Sequence, residues 1–283
     1  MSEPALRTER LGRRYGRSTW ALRDCTLELP RGAIIGLVGA NGAGKSTLLH
    51  LLIGLLQPTE GAIWTFGEPL RANRPDGLAR IGFVAQDHPL YRTFTIEDLL
   101  RFGRHLNPRF DVAGARRHVE ELEIPLDRRA GALSGGQQAQ VALALALAKQ
   151  PRLLVLDEPV ASLDPVARRL FMRALVGAVA DRDLTVLLSS HVVTELEQVC
   201  DHLVLLHSGR VRLAGALDDL LAGHRMLVGP RHDTADVDGL VAATHGERHS
   251  NLLVRRPAGA QDHPRWQTHP VGLEELVVAY LEN

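Results

Sequence analysis

The chain has 283 residues, 45% of them apolar, and its 33 Lys and Arg balance 33 Asp and Glu to a formal net charge of zero. That length accommodates one large α/β domain with a small appendage, and the charge balance argues against a nucleic-acid binder, which carries a basic excess. Two cysteines, Cys25 and Cys200, lie far apart without CxxC spacing, so they provide neither a disulfide framework nor a metal site and fit a reducing compartment.

Met1 to Leu11 is charged and has no apolar h-region, so no signal peptide is expected. The longest strongly apolar run, Val141 to Ala148, falls far short of the roughly 18 residues that span a bilayer. The chain is expected to be soluble by itself, and any membrane role requires another chain to do the spanning.

Residues 6–38 read as short strands, with Leu22, Leu27 and Leu29 among polar residues, and end in the continuous apolar run Ala33 to Val38. Such a run fits a strand buried on both faces of an α/β sheet. A Gly-rich turn and a helix over Ser46 to Leu56 follow, then strands at 62–66 and Ile81 to Ala85. From about 87 to 149 the pattern is helical, clearest at Glu97 to His105, Ala113 to Glu123 and Gly136 to Lys149. Strands return at Leu153 to Leu156 and Thr185 to Ser189, and a helix is expected over Val192 to Cys200. Leu203 to Leu206 and Arg210 to Ala214 flank Ser208-Gly209, which reads as a hairpin turn. After about Gly223 the composition shifts toward His, Pro, Gly and Asp, with short strands at Met226 to Val228 and Asn251 to Arg255. An amphipathic helix over Leu273 to Leu281 presents Leu273, Leu276, Val277, Tyr280 and Leu281 on one face. Residues 223–283 are read as a small α+β accessory unit.

Gly39-Ala40-Asn41-Gly42-Ala43-Gly44-Lys45-Ser46, followed by Thr47, matches GxxxxGK[ST] between a buried strand and a helix. Glycines let the backbone curl so that its N–H groups face phosphate oxygens, and the helix N-terminus adds partial positive charge. Lys45 neutralises the β- and γ-phosphates in this reading, and the Ser46 hydroxyl binds Mg²⁺. Lys45 is one of only two lysines, with Lys149.

Leu153 to Leu156 is an apolar strand that ends in Asp157-Glu158-Pro159. Ligands sit at the carboxyl ends of strands in a parallel sheet, so both acids fall beside the phosphate loop. Asp157 suits Mg²⁺ coordination, and Glu158 suits the general base that orients and activates water. His191 and Gln86 also follow apolar strands, Thr185 to Ser190 and Ile81 to Ala85.

Leu133-Ser134-Gly135-Gly136-Gln137 opens a helix, and its small residues and free N–H groups form an anion site. A P-loop kinase or GTPase has no use for this second cradle. The segment resembles the ABC signature. With Tyr15, Gly39–Ser46, Gln86, Leu153–Glu158, Ser162-Leu163-Asp164 and His191 in order, residues 5–222 resemble an ABC-transporter ATPase subunit. The resemblance implies a P-loop NTPase core with an antiparallel β subdomain and a helical subdomain over about 87–149. It implies ATP and Mg²⁺ as cofactors, bound where two such domains pack head to tail. The phosphate loop of one and Ser134–Gln137 of the other then clamp each nucleotide. Tyr15 stacks on adenine, Gln86 touches Mg²⁺ and the attacking water, His191 contacts the γ-phosphate, and Asp164 communicates across the dimer. Residues 87–132 dock on a membrane-spanning subunit, which places the chain on the cytoplasmic face of the membrane.

Three positions depart from the family pattern: Gln140 where an Arg is common, and Val160 and Ser162 after the acids. Ser189-Ser190-His191 followed by Glu195, Glu197 and Cys200-Asp201, together with Gly272 to Leu276, resembles the exporter branch that handles drugs, antibiotics and lipids. An importer ATPase and a soluble ABC ATPase acting on DNA or ribosomes are the alternatives.

Overall fold

The protein is described from a computed structural model that covers residues 3–71, 75–180, 183–231, 237–247, 249–256 and 266–282. In chain order the elements are β1 (Leu6–Tyr15), β2 (Thr19–Leu29), β3 (Ile34–Val38), α1 (Lys45–Leu52), β4 (Glu60–Thr65), β5 (Glu68–Pro69), α2 (Pro75–Leu78) and β6 (Ile81–Val84). The helical segment follows with α3 (Ile96–Leu106), α4 (Val112–Glu121), a 3₁₀ turn (Ala130–Ala132) and α5 (Gly135–Ala148). Then come β7 (Leu153–Leu156), α6 (Pro165–Ala180), β8 (Thr185–Ser189), α7 (Val193–Glu197), β9 (His202–His207), β10 (Arg210–Ala216) and α8 (Leu217–Ala222). The chain closes with β11 (His224–Pro230), β12 (Leu240–His245), β13 (His249–Arg255), β14 (Gln267–His269) and α9 (Leu273–Leu281).

Among the described residues three sheets form. The central one runs β10-β9-β3-β8-β7-β6; β9, β3, β8, β7 and β6 are parallel and only β10, at one edge, is antiparallel. The residues of β3, β7 and β8 are buried throughout, as expected of strands covered on both faces. Each fully buried Leu or Val contributes roughly 1.5–3 kcal/mol of hydrophobic stabilisation. A second sheet, β2-β1-β4-β5, is antiparallel and packs with α1 against one face of the central sheet. The other face carries α5, α6 and α7. This is the mixed α/β architecture with antiparallel β and helical subdomains expected from the sequence.

Helix starts are chemically marked. Thr95 caps α3 in a capping box with Asp98, and Asp111 caps α4 by accepting from Gly114 N at 2.8 Å. Each such cap satisfies N–H groups that have no partner inside the helix. The third sheet, β12-β13-β11-β14, is antiparallel. Its unit joins the rest through α9: Leu273, Leu276 and Val277 lie in the same buried cluster as Leu196, Cys200 and Leu203.

Several boundaries differ from the sequence reading. The strands of 6–38 are long, ten and eleven residues in β1 and β2. The helix expected over Val192 to Cys200 stops at Glu197. Helix α6 and strands β12 and β14 have no counterpart in the sequence reading. The hairpin at Ser208-Gly209 forms, with φ of +48° and +72°, the left-handed pair that a tight turn between twisted strands requires.

Candidate functional site

Four parallel strands end on one edge, and each delivers part of the site. Strand β3 runs into the phosphate loop, β7 into Asp157 and Glu158, β8 into His191 and β6 into Gln86. This convergence is a property of strand order. Because β3, β8, β7 and β6 are consecutive neighbours, their carboxyl ends line one crevice.

The loop's shape is set by close backbone approach. Gly44 has φ +102°, and a Cβ there would lie 2.5 Å from Ala21 O, so only glycine fits. The hairpin tip buttresses the same loop: Gly209 N donates to Ala43 O at 3.1 Å, and Gly209 O accepts from Arg23 N at 2.8 Å. Helix α1 begins at Lys45 with no acidic residue in its first turn, which leaves its positive end uncompensated.

A cleft of about 450 Å³ opens here. The loop supplies Ala40, Asn41, Gly42, Gly44, Lys45, Ser46 and Thr47, and Ala21, Gln86, Glu158 and His191 complete the lining. Lys45 Nζ donates to Gly39 O at 2.8 Å and Ala40 O at 3.5 Å and stands 3.7 Å from Glu158 Oε1. His191 Nδ1 lies 3.1 Å from Glu158 Oε2; a carboxylate only accepts, so this nitrogen donates. One carboxylate thus lies between a lysine and a histidine.

Ser189 organises both acids. Its hydroxyl donates to Asp157 Oδ1 at 2.8 Å and accepts from Glu158 N at 2.8 Å. Glu158 has φ +44°, a left-handed conformation that costs a residue with a Cβ about 1–3 kcal/mol. Beyond the cleft, Arg168 pairs with Glu195 and donates to Leu163 O at 3.3 Å, tying α6 to α7. Burial raises the pKa of Glu195, and the charges of Arg168 and His191 offset part of that rise.

The remaining sequence-predicted residues lie elsewhere. Tyr15 does not line the cleft; it is 44% exposed, with the Arg13 guanidinium 5.1 Å from its ring centre. Asp157 is buried behind the cleft. Ser134, Gly135, Gly136 and Gln137 also stand away from it. Ser134 Oγ accepts from Gln137 N at 3.2 Å and Ser134 N donates to Gln137 Oε1 at 3.1 Å, a capping box at the start of α5. A Cβ on Gly135 would meet nothing within 4 Å, whereas one on Gly136 would lie 2.8 Å from Ala167 Cβ, so this helix start is open at Ser134 and Gly135 and packed against α6 at Gly136. Gln140 is buried, and neither its Oε1 nor its Nε2 has a partner among the described residues.

Sequence reasoning missed Ala21 and Ser189. Ser189 carried a signal, a hydroxyl directly after the apolar run Val186 to Leu188. Ala21 carried none, because it reaches the loop only through tertiary packing.

The ABC transporter family model matches residues 22–161. The phosphonates import ATP-binding protein PhnC of Chromohalobacter salexigens is 37% identical over 228 residues, 75% of this chain and 84% of that protein. The chain belongs to the ABC transporter ATP-binding family. Another member, the Nod factor export ATP-binding protein I of Bradyrhizobium diazoefficiens, is 38% identical over 208 residues, covering 72% of this chain and 68% of the relative. A solved structure, of an ATP-binding subunit of an ABC transporter, superposes with a TM-score of 0.69 at 31% identity, over 76% of this chain and 91% of that one. A model described as an AAA domain, putative AbiEii toxin, overlaps residues 126–197, a stretch that leaves out the phosphate loop. The chain is an ABC transporter ATP-binding subunit, and the fold is that of the ABC ATPase cassette. Among the described residues no helix is long and apolar enough to cross a membrane. Relatives include importers and exporters, so family membership does not fix the direction of transport.

Proposed function

We propose that this ABC subunit hydrolyses ATP and drives a separately encoded membrane-spanning subunit from the cytoplasmic face, most consistently as an exporter. The observation that carries hydrolysis is Glu158 held between Lys45 and His191 in the cleft at the strand ends. Lys45 and the loop N–H groups bind the phosphates, and Glu158 accepts the proton of the attacking water. His191, whose Nδ1 donates to Glu158, orients that carboxylate and would contact the γ-phosphate.

The donor set also fits Mg²⁺. The Ser46 hydroxyl, the Gln86 amide and the Asp157 carboxylate are all oxygen donors, the type this ion prefers. Asp157 sits behind the cleft and would act through water. Held by these residues, Mg²⁺ would neutralise charge on the β- and γ-phosphates.

The start of α5, exposed at Ser134 and Gly135, supports a composite site, in which a second copy of the chain covers each nucleotide. Tyr15, exposed outside the cleft, would stack on the adenine. Residues 87–132 form the face for the membrane subunit, and residues 223–283 are an accessory unit.

Export is supported by the Ser189-Ser190-His191 pattern and by Nod factor export relatives of 36–40% identity. The phosphonates import relative favours import as the second reading. The purified chain should release phosphate from Mg-ATP, and Lys45→Ala should abolish that release. Near-normal turnover in Lys45→Ala overturns the assignment. Ser134→Arg should stop turnover while leaving ATP binding to the single chain intact, and normal hydrolysis by it refutes the composite site.

A further inference from the structure

The backbone that carries Glu158 is held from both sides. Before it, Asp157 N donates to Val84 O at 2.9 Å, and Glu158 N donates to Ser189 Oγ at 2.8 Å. After it comes Pro159, which has no N–H and can be fixed only through its carbonyl. That carbonyl is engaged by a side chain from another element: His88 Nε2 lies 2.9 Å from Pro159 O. A carbonyl only accepts, so Nε2 carries the proton.

His88 is built for one role. It is 5% exposed and sits at φ +44°, with its own N–H donating to Ala85 O at 3.0 Å in the turn that leaves β6. An imidazole forced into that backbone conformation and buried is held for its contact. Its flank lines an apolar groove of about 490 Å³ beside Phe83, Pro89 and Tyr91. Burial lowers its pKa, in keeping with a neutral ring whose single N–H is spent on Pro159.

We infer that His88 is a positioning residue for hydrolysis: its Nε2–H clamps the Pro159 carbonyl and thereby fixes the strained turn from which Glu158 reaches the cleft. The inference rests on Glu158 being the general base. Without the clamp the carboxylate keeps its neighbours Lys45 and His191, but its backbone gains freedom. Small displacements of a catalytic group carry large rate costs, whereas ATP contacts made by the phosphate loop stay as they were.

The test uses the full chain with Mg-ATP and the variants His88→Leu, His88→Gln and His88→Asn. Leucine fills the space without a donor, glutamine places an amide N–H near the Nε2 position, and asparagine places one too short to reach. His88→Leu and His88→Asn should lose roughly tenfold or more in kcat, with KM for ATP within about twofold of wild type, while His88→Gln recovers most of the rate. Amide exchange should rise across Asp157–Leu163 in the leucine variant and stay unchanged in β8. If His88→Leu does not fold, the Gln and Asn pair decides alone. Equal rates in that pair, wild-type kcat in His88→Leu, or a parallel loss of kcat and ATP affinity in all three overturns the inference. Glu158→Gln separates the two failures: if it retains turnover, the reading of the base is wrong; if it is inactive and the His88 variants are not, the clamp is wrong.

Discussion

Ser189 Oγ donates to Asp157 Oδ1 at 2.8 Å, joining the ends of two neighbouring parallel strands by one buried hydroxyl. The register makes this inevitable. Leu156 pairs with Leu188, so the next residue on each strand, Asp157 and Ser189, emerges at the same height. The same oxygen accepts from Glu158 N, so one hydroxyl fixes the carboxylate of the first acid and the backbone of the second.

Ser189→Ala should therefore damage both stability and turnover. It leaves Asp157 Oδ1 and Glu158 N without this partner in a buried place, and a buried polar group left unpaired costs about 1–3 kcal/mol. Chemical denaturation should show a loss of that size, with kcat falling more than ATP affinity. Wild-type turnover in Ser189→Ala would show that the two acids are held by other means.

Gln140 offers the opposite test. Its side chain is buried in α5 with both polar atoms unpartnered among the described residues. Replacing it by methionine removes two unsatisfied groups and keeps length and helix propensity. Gln140→Met should raise stability by about 1–2 kcal/mol and the melting temperature by a few degrees, with ATP hydrolysis unchanged. A destabilised Gln140→Met protein would show that the amide has a partner of its own.

A pH effect is expected where the last unit joins the core. His224 Nδ1 lies 2.7 Å from Leu220 O of α8, so that nitrogen donates, and Nε2 at 2.9 Å accepts the Tyr280 hydroxyl of α9. Arg255 of β13 donates to the same hydroxyl at 3.2 Å. Burial, with a smaller effect from the Arg255 charge, lowers the pKa of His224 from its ordinary value near 6.5. Below pH 6.5 the unfolded chain binds a proton that the folded chain does not. Stability from this residue is therefore complete above that pH, falls as pH drops toward the lowered folded value, and then levels off. His88 contributes with the same sign, so the comparison is between wild type and His224→Asn. The difference in melting temperature between the two should shrink on acidification from pH 7.5 to 5.5. A difference that is constant with pH removes His224 from the effect.

The parallel core was legible because its strands are covered on both faces and therefore carry continuous apolar runs: Ile34 to Val38, Leu153 to Leu156 and Val186 to Leu188. Strands β1 and β2 were legible only as fragments. Their ladder shifts register between Thr8 and Leu11, Leu11 and Arg13, and Arg13 and Arg14, and each bulge resets the alternation on which strand recognition depends. Helix α6 did carry a start signal, Asp164 followed by Pro165. Asp164 Oδ1 accepts from Val166 N and Ala167 N at 2.9 and 3.0 Å, as a helix-capping aspartate before a first-turn proline should. The phosphate loop and the acids were legible because their spacing is a chemical requirement. The clamp from His88 to Pro159 joins positions 71 residues apart, and only the fold makes them neighbours.

Glu158→Gln is the sharpest test of the site. The carboxylate lies 3.7 Å from Lys45 Nζ and 3.1 Å from His191 Nδ1. The amide preserves its volume and an oxygen to accept from His191, but it cannot take a proton from water. Loss of a general base costs about 10²–10⁴ in rate, so phosphate release should fall by that factor. Binding should survive, because Lys45, Ser46, Asp157 and the loop N–H groups are untouched. Removing a negative charge beside the γ-phosphate should favour the bound state further, and unhydrolysed ATP should hold two copies together. Size-exclusion chromatography in Mg-ATP should then show a stable dimer for the variant, where wild type should be largely monomeric or only transiently paired. Asp157→Asn should behave differently, weakening the Mg²⁺ dependence of binding along with turnover. Wild-type phosphate release by Glu158→Gln removes Glu158 as the base. Lost release without an ATP-dependent dimer keeps the base but refutes pairing between copies of this chain, and points to a different ATPase partner or to the membrane subunit as the agent of closure.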